Sequence, residues 1–128
     1  MIEAEGCSAN ALRDAGVLRA VFSRLVADLN LKTIGEGVWH KFPEEGGVTG
    51  LIALTESHLA CHTYPEHAIA TFNLYCCKNR PEWNWAENLK ELIGAKVVTV
   101  QKIERRSESF SGESENRNPK SEIARGEV

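Results

Sequence analysis

At 128 residues, with 42% apolar and 26% charged side chains, the chain is sized and composed for one water-soluble domain. No apolar run is long enough to span a bilayer, and 15 scattered basic residues against 18 acidic ones, a net charge of -3, argue against a nucleic-acid surface, which needs clustered positive charge. The start, Met1-Ile2-Glu3-Ala4-Glu5, has no basic segment leading into an apolar one, so a cytoplasmic chain is expected, with Cys7, Cys61, Cys76 and Cys77 reduced.

In chain order, a short strand over Ile2 to Cys7 comes first. Asp14 then caps a helix whose apolar positions Leu18, Val21, Phe22, Leu25 and Leu29 recur at steps of three and four. Four strands follow without a helix between them: Thr33 to Lys41, Val48 to Thr55, His58 to Thr63 and His67 to Cys77. Asn84 and Glu87 make a capping-box pattern for a second helix, with Trp85, Leu89, Leu92 and Ile93 on one face and Gly94 as the stop, before a last strand from Lys96 to Glu104. Strands joined directly form antiparallel hairpins, so the expected fold class is α+β, a two-layer sandwich with a mainly antiparallel sheet and two helices on one face. The domain is expected to occupy residues 1–106. Residues 107–128, with only Phe110, Ile123 and Val128 as sizeable apolar groups, are expected to form a disordered tail.

The strand from His67 to Cys77 has two unlike faces. Ala68, Ala70, Phe72, Leu74 and Cys76 suit helix packing, whereas Thr71, Asn73, Tyr75 and Cys77 point towards solvent, a partner or a ligand. Between Glu56 and Cys77 lie three of the four histidines (His58, His62, His67) and three of the four cysteines. A zinc site from Cys61, His62, Cys76 and Cys77 has suitable ligand types, but strand neighbours face opposite ways and C-x2-C spacing is absent, so no metal is expected. A Ser/His or Cys/His nucleophile pair stays open on composition, without a G-x-S-x-G elbow to single one out.

The runs Gly47-Val48-Thr49-Gly50, Thr55-Glu56-Ser57-His58-Leu59, Cys61-His62-Thr63-Tyr64-Pro65-Glu66 and Asn73-Leu74-Tyr75-Cys76-Cys77 together resemble the bacterial S-adenosylmethionine decarboxylase proenzyme family, of which this chain would be a divergent member. The resemblance implies a pyruvoyl enzyme that makes its own cofactor from Ser57: the Ser57 hydroxyl attacks the Glu56 carbonyl, and the chain is cut into a β chain of residues 1–56 and an α chain starting at Ser57. It implies that His62 assists the proton transfers, that Thr49 stands where a serine hydroxyl usually supports processing, and that Cys77 reprotonates the product carbanion. The pyruvoyl group would hold the substrate amine as a Schiff base. Glu66 would hold the ribose, and Phe42 or Tyr64 would stack on adenine. Asn73 stands where relatives usually carry Asp, and Ala68 where they carry Gly. His58 belongs to the cleavage motif by position only; His40 and His67 are expected at strand surfaces, and Cys76 in the core. The implied reaction converts S-adenosylmethionine to its decarboxylated form for spermidine synthesis, in a homodimer of αβ units. Two other readings are a pyruvoyl decarboxylase of arginine or ornithine and a non-processing paralogue that acts as a binding protein.

Overall fold

A computed structural model describes residues 1–76, 82–103 and 121–127. Its elements run β1 (Ile2–Glu5), α1 (Ala9–Leu12), α2 (Ala15–Asp28), β2 (Thr33–Lys41), β3 (Val48–Leu54), β4 (Ser57–Tyr64), β5 (Ile69–Cys76), α3 (Trp85–Ile93), β6 (Val97–Ile103) and β7 (Ser121–Glu127), with a 3-10 turn at Pro65–His67. The strands form one sheet in the order β2-β3-β4-β5-β1-β6-β7, and each neighbouring pair is antiparallel. The architecture is the expected α+β sandwich.

Both anticipated helices start where their caps predict. The Asp14 carboxylate accepts the Gly16 N–H at 2.8 Å, and Leu18, Val21, Phe22 and Leu25 form the buried stripe of α2. At α3 the Asn84 side chain accepts the Glu87 N–H at 3.0 Å and donates to the Glu87 carboxylate at 2.9 Å, which satisfies one orphan amide of the first turn. Gly94 closes α3 at φ 72°, a left-handed conformation that costs glycine no Cβ clash. Arg24 joins the two helices through Asn88 and Glu91, at 3.1 and 3.0 Å.

The helices cover one face of the sheet and enclose a single core. Alternate residues of β4 and β5 enter it: Leu59, Cys61 and Thr63 from one, Ala70 and Phe72 from the other. Phe22 of α2 lies 4.9 Å from Trp39 of β2, and Phe72 lies 5.8 Å from Trp85 of α3. Burying a side chain as large as Phe22 or Phe72 contributes about 1.5 to 3 kcal/mol, so these contacts fix which face of each strand the helices take.

Two elements depart from expectation. α1 is an additional four-residue helix, started by Ser8, whose hydroxyl accepts the Ala11 N–H at 3.2 Å; it is too short for a periodic apolar stripe to announce it. Within the segment read as tail, Ser121–Glu127 pairs with β6 from Val97↔Glu127 to Ile103↔Ser121. Low apolar content had pointed to disorder, but a strand at a sheet edge is held by main-chain hydrogen bonds that composition does not report. The rest of the tail lies outside the described residues.

Candidate active site

The turn between β3 and β4 is the tightest in the sheet. Leu54 pairs with Ser57, so Thr55 and Glu56 alone form the loop. Two-residue hairpin loops favour positive φ at their central residues, usually supplied by Gly or Asn. Neither is present here, and among the non-glycine residues of positive φ is Ser57, at 144°. That region is nearly restricted to glycine and costs on the order of 1 to 3 kcal/mol. The strain therefore sits at the residue whose amide is the Glu56–Ser57 bond. It also changes where side chains point: adjacent strand residues normally face opposite ways, yet Ser57 Oγ lies 3.2 Å from His58 Nδ1. The His58 ring is exposed and packs on Tyr75, 5.6 Å between centroids.

A second group occupies the other end of the same hairpin, on the face without helices. Cross-strand pairs align His40 with Thr49, Thr49 with His62, and His62 with Thr71. Thr49 Oγ1 and His62 Nδ1 are 2.6 Å apart, and Thr71 donates to the His62 carbonyl at 3.3 Å. Aromatic rings surround His62, with Tyr64 at 4.6 Å and Phe42 at 5.9 Å, both edge-on. His40 meets Phe42 at 4.5 Å. Glu66 follows on the exposed surface of the 3-10 turn, with His67 beside it. Ala68 ends that turn at φ 57°, which gives a physical reason for the glycine that the resemblance leads one to expect there.

Thr63 sets the level of this group from beneath. Among the described residues it is the buried polar side chain of the core, 2% exposed. Its hydroxyl donates to the Leu12 carbonyl at 2.7 Å and accepts the Val48 N–H at 2.9 Å. Gly47 makes this approach possible, because a Cβ there would stand 2.2 Å from the Thr63 carbonyl oxygen.

The structure thus brings Thr49, His62, Phe42 and Tyr64 together and Ser57, His58 and Tyr75 together, but it keeps the two groups apart. Ser57 and His62 are five residues distant on one strand, about 16 Å at 3.3 Å per residue. Asn73 lies between, exposed and paired with Ala60. Cys76 is the backbone partner of Ser57; the face assignment of Cys76 and the role of Cys77 lie outside the described side chains. Cys61 is buried in the core while its neighbour His62 is on the other face, so the two do not converge. Burial pushes the Cys61 thiol up to about 12 and the Cys7 thiol to about 11, the latter partly offset by Lys96. Both are poor nucleophiles near neutral pH.

The open face carries apolar side chains in the open: Val38 is 68% and Leu51 44% exposed. With Ile34, Gly37, Ala53 and His58 they line a shallow groove of about 490 Å³ beside the turn.

Comparison with known proteins decides the family. The sequence profile described as S-adenosylmethionine decarboxylase matches residues 1–106. The chain belongs to the S-adenosylmethionine decarboxylase family. It is similar to S-adenosylmethionine decarboxylase proenzyme 2 of Halalkalibacterium halodurans, 33% identical over 104 residues covering 78% of each chain. It is also similar to the S-adenosylmethionine decarboxylase proenzymes of Geobacillus kaustophilus, 34% identical over 95 residues covering 72% of this chain and 73% of that one, and Carboxydothermus hydrogenoformans, 31% identical over 104 residues covering 80% of each. As a member of this family the chain is an enzyme of the carboxy-lyase type. In the sequence His58 belongs to the motif by position only, and no pattern singles out Thr63. A Ser-His dipeptide carries no signal by itself, since strand alternation would separate the two side chains; only the backbone at Ser57 reveals the contact.

Proposed function

We propose that the chain is a proenzyme that cuts itself between Glu56 and Ser57, releasing a β chain of residues 1–56 and an α chain that begins with a pyruvoyl group made from Ser57, and that it then decarboxylates S-adenosylmethionine. The observation that carries this reading is the backbone of Ser57, strained to φ 144° at the end of a two-residue turn. Strain at that amide is relieved when the bond to Glu56 breaks, so the fold favours cleavage at this one position. The turn also fits the group that would follow: Ser57 is half-buried, beside the groove lined by His58 and Leu51. A pyruvoyl carbonyl supplies an electrophile for the substrate amine and an electron sink for loss of carbon dioxide.

The chain's own residues divide the remaining work. His62, hydrogen-bonded to Thr49, moves protons, an imidazole being suited to this near neutral pH. Cys77 follows directly on Cys76, the cross-strand partner of Ser57, and serves as the proton donor to the decarboxylated carbon. Phe42 and Tyr64 offer rings for adenine, Glu66 a carboxylate for the ribose hydroxyls and Asn73 a neutral amide on the same face. The relatives named S-adenosylmethionine decarboxylase proenzymes support this substrate, and its product is the aminopropyl donor for spermidine. The site of action is the cytoplasm, where the four thiols stay reduced.

The working unit is a homodimer of αβ units. Within one chain His62 stands about 16 Å from Ser57 along β4, farther than any proton transfer. Two open faces laid together cover the exposed Val38 and Leu51 and bring the His62 end of one hairpin to the Ser57 end of the other.

Intact-mass analysis tests the core of this reading: the purified protein should resolve into two pieces, residues 1–56 and a blocked chain from residue 57, and Ser57→Ala should stay whole. Wild-type protein that remains one chain after long incubation overturns it. Co-expression sharpens the dimer claim, because a His62→Ala chain should be cut when paired with a Ser57→Ala chain and stay whole alone. Release of labelled carbon dioxide, measured in parallel from S-adenosylmethionine, arginine and ornithine, decides the substrate; release from arginine or ornithine alone removes the substrate assignment and leaves the cleavage standing.

A further inference from the structure

The separation of Ser57 from His62 leaves the first step of cleavage without a base from that histidine in the same chain, and the chain provides one elsewhere. We infer that His58 is a catalytic residue of self-cleavage, the general base that takes the proton from the Ser57 hydroxyl. The inference rests on the self-processing reading and specifies one of its steps.

The geometry is direct. Ser57 Oγ and His58 Nδ1 are 3.2 Å apart, within reach for a base that tightens as the reaction proceeds. The contact exists because Ser57 sits at φ 144°; with ordinary strand dihedrals the hydroxyl and the imidazole would face opposite sides of the sheet. One backbone distortion thus strains the bond to be cut and aims the nucleophile at its base. Tyr75 packs on the His58 ring at 5.6 Å and restricts its rotation, and the ring borders the groove, so its second nitrogen is open to exchange protons with water.

The step balances as follows. The Ser57 O–H bond breaks and its proton goes to His58 Nδ1. The Oγ lone pair forms a bond to the Glu56 carbonyl carbon, giving a tetrahedral adduct. The C–N bond to Ser57 then breaks, the imidazolium returns the proton to the departing nitrogen, and the peptide has become an ester with a free amine on residue 57. No oxidant, reductant or metal takes part, and His58 ends neutral, as it began. Later proton transfers, from Cα, remain with His62.

The test follows nascent chains made in a cell-free system, with cleavage timed by intact mass, with and without hydroxylamine, which cuts an ester at residue 57 but not an amide. His58→Ala should slow cleavage by about 100-fold or more, the scale of a lost general base. His58→Gln should be as slow, because its amide oxygen accepts the hydrogen bond but cannot carry the proton. Free imidazole should restore part of the rate to His58→Ala, which also shows that the variant is folded. Hydroxylamine should not speed release of the two pieces from either variant, since forming the ester is itself the slowed step. Cleavage of His58→Gln at the wild-type rate, or rapid hydroxylamine release from it, overturns the inference while leaving self-processing intact. A wild-type chain that never cuts overturns both.

Discussion

The two faces of the sheet are built from alternate residues of the same strands, yet they obey different rules. On the helix side of β4 and β5, Leu59, Cys61, Thr63, Ala70 and Phe72 are buried and closely packed. On the other side His58, Tyr64, Asn73 and Tyr75 are exposed, and His62 packs among rings of its own face. A step of one residue along the chain crosses from a region where volume decides the residue to a region where chemistry does. The strand histidines His40, His58 and His62 all lie in the second region, and the reason is physical: a core penalises the charged form of an imidazole.

The largest effect that can break this comparison comes from neighbouring rings on β5. Phe72→Ala should cost about 3 to 5 kcal/mol, a cavity in a core that cannot collapse around it. Tyr75→Ala, three residues on and 41% exposed, should cost under about 1 kcal/mol in the isolated subunit. Urea denaturation of the uncut Ser57→Ala chain measures both. If copies pair through the open face, the Tyr75 loss grows with protein concentration and the Phe72 loss does not. Equal losses at all concentrations would mean that the two faces are not distinct.

How much of this was legible in the sequence follows the same division. The helix side was readable because burial imposes periodicity: Leu18 to Leu25 at helical spacing, Ala70 and Phe72 at strand spacing, and the caps Asp14 and Asn84 each predicted their element. On the open face nothing periodic selects His62 over His40 or His58, and His62 stands out only through the spacing that the family resemblance supplies. Two features were illegible for a further reason. The Ser57–His58 contact depends on one backbone dihedral, and β7 depends on main-chain pairing with β6; neither leaves a pattern of side-chain types.

Thr63 tests the border between the faces, since it is a polar residue on the packed side that fixes the strand start next to Thr49. Thr63→Val keeps the shape but leaves the Val48 amide and the Leu12 carbonyl without that partner, a loss of about 1 to 3 kcal/mol for each buried group. Thr63→Ser should recover most of it. Thermal unfolding of the uncut chain gives the stability. The cleavage rate of the same variants in otherwise wild-type chains should fall for Val and hold for Ser, because the Thr49–His62 contact of 2.6 Å relies on the register that Thr63 clamps.

The smallest effect concerns the buried thiols, and its sign follows from their shifted ionisation. Burial raises Cys61 from 9.0 to about 12 and Cys7 from 9.0 to about 11. Between those limits the unfolded chain has lost protons that the folded chain still holds, so the folded state binds more protons and stability falls as pH rises. Below pH 9 both states keep the thiols protonated and the contribution is fully present. Unfolding free energy should therefore decline from about pH 9 towards 11 to 12, and a Cys61→Ala chain, weaker at neutral pH by a small core deletion, should decline less. The same thiols should resist alkylation at pH 8 in folded protein and react once urea unfolds it, as peptide mapping of Cys7 and Cys61 would read. Rapid labelling of Cys61 in the folded state would mean that the packed face opens, and the contrast between the faces would then be one of degree.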